Sequence, residues 1–174
     1  MNRIYLEAER YVKKCGSRNP YELLDYIGAH LEFVYHYPVH GLKGFSAIFN
    51  RQMYAVVNGN LGEVDRGIVV GHEAAHLILH RREILQSPGQ AMKDFNLYCE
   101  SSRLEYQANL FLANFLVTDK QVLDVIADTD DDFFRTSRAL YFPPHLLGFK
   151  LHSMMRRGLP VRPPMGLQST FLKG

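Results

Sequence analysis

Two histidines and a glutamate, in the order His72-Glu73-Ala74-Ala75-His76, are the residues of this sequence best suited to carry out chemistry. Positions four apart in an α-helix are offset by only about 40°, so the two imidazoles project from one face and can hold one metal ion. Glu73 is turned to the side, where its carboxylate can reach a water molecule bound to that ion. The spacing therefore predicts two metal ligands and a general base on one helix, as in zinc-dependent hydrolases.

The motif is short, and its surroundings decide how much it means. With 8 histidines among 174 residues, about two shuffled chains in a hundred would contain H-E-x-x-H. The alternative is an amphipathic helix whose histidines are surface residues or satisfied core residues. The neighbouring apolar residues argue against it, because they predict a buried helix whose polar stripe needs partners. They are Val69, Val70, Ala74, Leu77 and Ile78.

A third ligand has to come from elsewhere. His80 continues the i, i+4 series, but it would stand about 12 Å along the helix from His72, too far for both to bind one ion. We expect His80 to cap the helix end or to lie behind the ligands. Glu105 is the better candidate, because it lies in an otherwise apolar helical segment where a carboxylate needs a cation. Its competitor, Glu100, falls outside that segment.

The pattern around these residues predicts an α+β fold, with a small three-stranded sheet and surrounding helices. Asn19-Pro20 is a typical helix start, and Asn50-Arg51 is spaced as a hairpin turn. The predicted helices are 3–14, one after Pro20, one from about Arg66 through the motif, 102–117, 119–128, 132–140 and 144–156. The predicted strands are 31–38, 44–50 and 52–58.

Length and composition indicate a single globular domain over residues 1–174. We expect its core at about 20–117 and a helical C-terminal extension at 118–174. Hydrophobic residues make up 47% of the chain and charged residues 22%, and the net charge is +2. That charge predicts neither direct nucleic-acid binding nor binding to an anionic membrane. The basic pairs Lys13-Lys14, Arg81-Arg82 and Arg156-Arg157 are interpreted as solvated helix ends.

The cysteines and the N-terminus predict a cytoplasmic protein. Cys15 and Cys99 are far apart and form no C-x-x-C pair, which favours a reducing compartment and excludes a thiolate zinc site. Charges interrupt every apolar run near the N-terminus, so neither a signal peptide nor a membrane span is expected.

Four motifs follow one another along the chain in a characteristic order. They are the Asn19-Pro20 helix start, the strand Tyr54-Ala55-Val56-Val57-Asn58, the series His72-Glu73-x-x-His76-x-x-x-His80 and the segment Glu105-x-Gln107-Ala108-Asn109-x-Phe111-x-Ala113. From about Pro20 to Leu116 the chain thus resembles the ImmA/IrrE family of metallopeptidases. It departs from the usual family pattern at Ala74-Ala75 and at Leu116-Val117-Thr118.

The resemblance implies a minimal zincin-like (thermolysin-like) core with the H-E-x-x-H…E ligand set. His72, His76 and Glu105 would bind zinc, and Glu73 would be the catalytic base; ligand type alone does not exclude manganese or iron. The implied partner is a protein substrate, an Xre-type helix-turn-helix repressor of a prophage, a mobile element or a stress regulon. The resemblance says nothing of oligomeric state.

Two other functions are compatible with the sequence. The first is a non-catalytic anti-repressor that binds and displaces the repressor, although such a protein would have no use for Glu73. The second is a hydrolase of a non-peptide substrate. Whether the protein is a peptidase or another hydrolase, the sequence does not decide which residue donates a hydrogen bond to the oxyanion; Tyr98, Tyr141 and His145 are the candidates. An extended substrate could add to the strand 52–58.

Overall fold

The computed structural model describes residues 2–86, 92–94 and 103–163. This part of the chain contains eight helices and four strands. The helices are α1 (Asn2–Cys15), α2 (Pro20–Tyr26), α3 (Glu63–Leu79), α4 (Arg81–Gln86), α5 (Arg103–Leu116), α6 (Asp119–Asp128), α7 (Phe133–Ala139) and α8 (Pro144–Arg156). The strands are β1 (Ala29–Val34), β2 (Gly44–Phe49), β3 (Gln52–Asn58) and β4 (Met92–Asp94). The predicted α+β class is confirmed.

The chain divides into two compact units. The first unit comprises Met1–Tyr11 and Tyr98–Gly174, and the second unit comprises Val12–Leu97. The sheet and the helix with the H-E-x-x-H motif belong to the second unit, whereas α5 to α8 belong to the first.

The sheet of the second unit has the strand order β1-β3-β2-β4. β1 runs parallel to β3, and β2 runs antiparallel to both β3 and β4. The three predicted strands are present, and the short β4 extends the sheet. β1 covers Ala29–Val34 rather than 31–38. The prediction that a substrate could add to the strand 52–58 was wrong, because β3 is hydrogen-bonded to a neighbour on each side.

The β2–β3 hairpin turns at the predicted dipeptide. Asn50 and Arg51 have φ values of 49° and 67°, and positive φ at both central residues is the geometry of the turn that matches the twist of a two-residue hairpin. Asparagine tolerates this conformation better than most residues. The turn sets the register in which Gly44 lies opposite Val57, and so it fixes which side chains of β2 face inward.

Helix α3 is the centre of the second unit. It packs against α2, β2 and β3. Its N-cap, Gly62, offers no side chain, but Glu63 and Asp65 lie in the first turn, where acidic groups favour the helix dipole. Residues from Ile68 to Leu77 are all buried, so the helix is held by burial on every side rather than by a single apolar stripe.

The first unit is helical. α5 packs on α8, and their buried faces include Phe111, Phe115, Leu146, Leu147 and Phe149. Thr118 and Gln121 form a capping box at the start of α6. Within the described residues, no helix combines the length and apolar character that crossing a membrane would require.

One basic residue of the first unit differs from its predicted role. The Arg157 side chain is only 12% exposed, and its guanidinium donates to both carboxylate oxygens of Asp119 at 2.6 and 2.7 Å. The same guanidinium lies 3.6 Å from the centroid of the Tyr5 ring. The prediction of a solvated helix end was wrong for Arg157. Its planar guanidinium forms a bidentate, largely buried ion pair with a carboxylate instead of facing solvent.

Candidate metal centre

Three side chains of the motif, which the second unit carries on α3, are fully buried. His72, Glu73 and His76 each have 0% exposure. Burying two imidazoles and a carboxylate in an apolar helix is costly unless they have polar or ionic partners. Their burial therefore indicates that the three side chains interact with polar or ionic partners and do not form a solvent-exposed helix face.

The two motif imidazoles converge. Nε2 of His72 and Nε2 of His76 are 3.0 Å apart, and the ring centroids are 4.7 Å apart. Two nitrogens at this distance can share either a proton or a cation. Nitrogens that bind one tetrahedral zinc at 2.0–2.1 Å stand about 3.3 Å apart, so the observed pair fits a common ion with a small adjustment.

His80 continues the row behind His76. It is 1% exposed, and it is the C-cap of α3, its backbone N–H donating to the His76 carbonyl at 2.8 Å. Nδ1 of His80 lies 3.0 Å from Nδ1 of His76. The residue thus ends the helix and at the same time contacts the side of His76 that faces away from His72, as expected for a residue behind the ligands.

Glu73 is held by a serine of the sheet. The Ser46 hydroxyl donates to Oε2 of Glu73 at 2.7 Å, and both side chains have 0% exposure. A hydrogen bond to an ionised carboxylate is among the stronger ones in a protein interior. Sequence reasoning missed Ser46, and the one available signal was a hydroxyl at an inward position of a strand.

A glycine allows that contact. A Cβ placed on Gly44 would lie 2.6 Å from Cγ1 of Val69 and 3.1 Å from Oε1 of Glu73. β2 can therefore approach α3 closely at Gly44. Ser46 is two residues further along β2 and so points to the same face of the sheet, towards the carboxylate.

The remaining predicted residues lie in the first unit or outside the described residues. Glu105 is half-buried in the first turn of α5. Tyr141 is 93% exposed, and His145 is half-buried near the start of α8. Tyr98 and Glu100 lie outside the described residues.

Comparison with known proteins identifies the family. The model of the family Peptidase_M78, described as the IrrE N-terminal-like domain, matches residues 34–141. The chain belongs to the ImmA/IrrE family. A relative described as "Uncharacterized immunity region protein 2" of Bacillus phage phi105 is 34% identical over 113 residues, which cover 64% of this chain and 66% of the relative. The match thus spans just under two thirds of that relative.

Membership of the ImmA/IrrE family gives the buried histidines a context, because the family is one of metallopeptidases. Among the described residues, His72, His76 and Glu105 form a group whose side chains could hold a metal ion, with two imidazole nitrogens and a carboxylate oxygen as donors. This is a donor set that zinc accepts while keeping one position open.

Proposed function

We propose that this protein is a zinc-dependent endopeptidase of the cytoplasm that cleaves a helix-turn-helix repressor. The observation that carries the proposal is the convergence of the two buried Nε2 atoms at 3.0 Å on a helix that also bears a buried glutamate. Membership of a metallopeptidase family supports the same reading. A structural metal site would have no use for a general base beside an open position.

Glu105 is the proposed third ligand of His72 and His76. A carboxylate completes the set of two histidines and one acid that catalytic zinc sites use. Bound there, zinc would act as a Lewis acid and lower the pKa of a water molecule to about 7. Imidazole and carboxylate ligands also accept manganese or iron, so the preference for zinc rests on the family and on the small number of ligands.

Glu73 is the proposed catalytic base. Its carboxylate takes a proton from the water that attacks the scissile carbonyl and delivers that proton to the leaving amine as the C–N bond breaks. The hydroxyl of Ser46 holds Oε2, so the carboxylate is fixed in one orientation before substrate arrives. The buried position of Glu73 excludes bulk water from the proton transfer.

The proposed substrate is a repressor of a prophage or mobile element. Support comes from the relative, whose description assigns it to an immunity region of a phage. An Xre-type helix-turn-helix repressor encoded near the gene is the first candidate to test. A repressor of a stress regulon is the second candidate, because the family resemblance implies it.

The test is a cleavage assay on the purified candidate repressor. Zinc-loaded wild type should cut it, the chelator-treated protein should not, and added zinc should restore cutting. Glu73→Gln should lower the cleavage rate by at least about a hundredfold, because it removes the base, while zinc content stays at wild-type level.

The matched control is Glu63→Gln, since Glu63 lies on the same helix and is exposed, and it should cut at the wild-type rate. Repressor binding is measured alongside. If Glu73→Gln released the repressor from its operator as well as wild type does, without cleavage, the protein would be an anti-repressor that acts by displacement.

A further inference from the structure

Behind the motif lies a third buried imidazole that the H-E-x-x-H chemistry does not use. This is the ring of His80, which is 1% exposed and is the C-cap residue of α3. Its Nδ1 is 3.0 Å from Nδ1 of His76, and Nε2 of His76 is 3.0 Å from Nε2 of His72. The three rings therefore form one row, in which His76 contacts a neighbour through each of its nitrogens.

The arrangement determines which nitrogen of His76 carries a proton when a metal is bound. A neutral imidazole has one N–H and one lone pair. Binding a cation through Nε2 uses the lone pair there, so the proton of His76 must be on Nδ1. That N–H then points at Nδ1 of His80, which must accept it and keep its own proton on Nε2.

We propose that His80 is a positioning residue of the metal centre, which accepts a hydrogen bond from His76 Nδ1–H and thereby holds His76 in the tautomer and ring orientation that bind zinc through Nε2. This inference rests on the zinc centre proposed above. Metal-binding histidines commonly have such a partner for their second nitrogen, often a carboxylate or a carbonyl. Here the acceptor is a neutral ring, so it orients His76 without adding a negative charge.

The side-chain geometry supplies a sharp set of variants. In His80→Asn the carboxamide oxygen can occupy the place of Nδ1 and accept the same hydrogen bond. In His80→Gln the oxygen reaches the place of Nε2 instead, and His80→Ala removes the acceptor altogether. The matched control is Ile84→Ala, because Ile84 is 4% exposed and its N–H donates to the His80 carbonyl, so packing at the same turn is disturbed while all imidazole nitrogens remain.

The first readout is zinc affinity of the full chain, from competition with a chromophoric chelator. His80→Ala and His80→Gln should bind zinc roughly 10- to 100-fold more weakly than wild type. His80→Asn and Ile84→Ala should stay within about threefold of wild type. The second readout is NMR of the histidine rings in the zinc-loaded protein, where the Nδ1–H proton of His76 should be hydrogen-bonded, and so exchange slowly with water, in wild type and in His80→Asn but not in His80→Ala.

The outcomes separate the two proposals. If wild type binds no zinc, the metal centre fails and the role of His80 fails with it. If wild type binds zinc and His80→Ala binds it equally well, or if His80→Asn is as weak as His80→Gln, only the positioning role is overturned. Should His80→Ala fail to fold, the comparison of His80→Asn with His80→Gln still decides, because both keep a polar side chain of similar size.

Discussion

At the scale of residues, two contacts restrict the orientation of the buried side chains on α3. Ser46 holds one oxygen of Glu73 at 2.7 Å, and His80 contacts His76 at 3.0 Å. The partners come from a strand and from the end of the same helix. If His76 is the ligand and Glu73 the base proposed above, side chains held in this way lose little entropy when the substrate arrives, which is how a preorganised site accelerates a reaction.

The contact between Ser46 and Glu73 predicts a defect in turnover. Ser46→Ala should lower kcat for repressor cleavage about tenfold and leave KM and zinc content unchanged, because Glu73, the proposed base, loses a hydrogen bond of roughly 1.5–3 kcal/mol that orients it. Ser46→Thr keeps the hydroxyl and should retain most of the activity. Steady-state kinetics with quantified metal content provide the measurement.

Ser153→Ala is the matched control for Ser46→Ala. Ser153 is also a buried serine, and its hydroxyl donates to Oδ1 of Asn114 at 3.2 Å in the first unit. Its loss should reduce the free energy of unfolding by about 1 kcal/mol without changing kcat. Equal loss of kcat in Ser46→Ala and Ser153→Ala would mean that Ser46 acts only through stability.

Local signals in the sequence pointed to the candidate residues on α3, but they could not reveal contacts between distant segments of the chain. His72, Glu73 and His76 are named by a five-residue spacing on one helix. Ser46 is 27 residues away from Glu73, and nothing near either residue reveals the contact. It depends on how closely β2 approaches α3 at Gly44, which is a property of packing.

At the scale of elements, the boundaries that depend on local chemistry were predictable. Asn19 caps α2 by accepting from the backbone N–H of Tyr21 at 2.9 Å, and the turn at Asn50 and Arg51 has the expected positive φ values. The strand order was not predictable, because periodicity does not tell which strands become neighbours. β1 pairs with one side of β3 and β2 pairs with the other, so β3 has no free edge to which a substrate strand could add.

The helices of the first unit are joined by a buried polar cluster. Lys150 of α8 has 0% exposure, and its ammonium lies 2.9 Å from Oδ1 of Asp119 at the start of α6. The same ammonium donates to Oδ1 of Asn114 in α5 at 3.4 Å. Burial of Asp119 by itself raises its pKa, but hydrogen bonds from Arg157 and Lys150, together with the attraction of their positive charges, outweigh burial and lower the pKa from 3.8 to about 2.

This pKa predicts a loss of stability in acid. The pKa of Asp119 is lower in the folded state, about 2, than its ordinary value of 3.8. The ionised carboxylate therefore stabilises the fold by about 2.5 kcal/mol at neutral pH, and this contribution is lost as pH falls from about 5 through about 2. Asp119→Asn should lower the free energy of unfolding by about 3 kcal/mol at pH 7, since it leaves Lys150 buried without its anion. Urea titrations at pH 7 and at lower pH should show this difference shrinking.

Asp124→Asn is the control for Asp119→Asn on the same helix. Asp124 pairs with Lys120 at 2.6 Å, but the two side chains are 58% and 84% exposed, so its loss should cost under about 1 kcal/mol. A difference between wild type and Asp119→Asn that did not change with pH would show that the carboxylate charge is not what stabilises the cluster.

At the scale of the whole molecule, the proposed ligand set draws on both compact units. Glu105 belongs to the first unit, and His72 and His76 belong to the second. We propose that residues 1–174 act as a single metallopeptidase domain when zinc is bound. A ligand that binds only the folded state stabilises it by RT ln(1 + [L]/Kd). Every segment that must be folded for the ligand to bind is stabilised in this way.

Zinc should therefore protect α3 and α5 together. At a free zinc concentration about a hundredfold above Kd, the free energy of unfolding of wild type should rise by about 2.7 kcal/mol. Hydrogen exchange followed by mass spectrometry should show slower exchange in peptides from both helices. Glu105→Gln should lose most of the protection in α5, and Glu22→Gln, which alters an exposed glutamate in the first turn of α2, should keep it. Protection confined to α3, and unchanged by Glu105→Gln, would exclude Glu105 as a ligand and restrict the metal centre to the second unit.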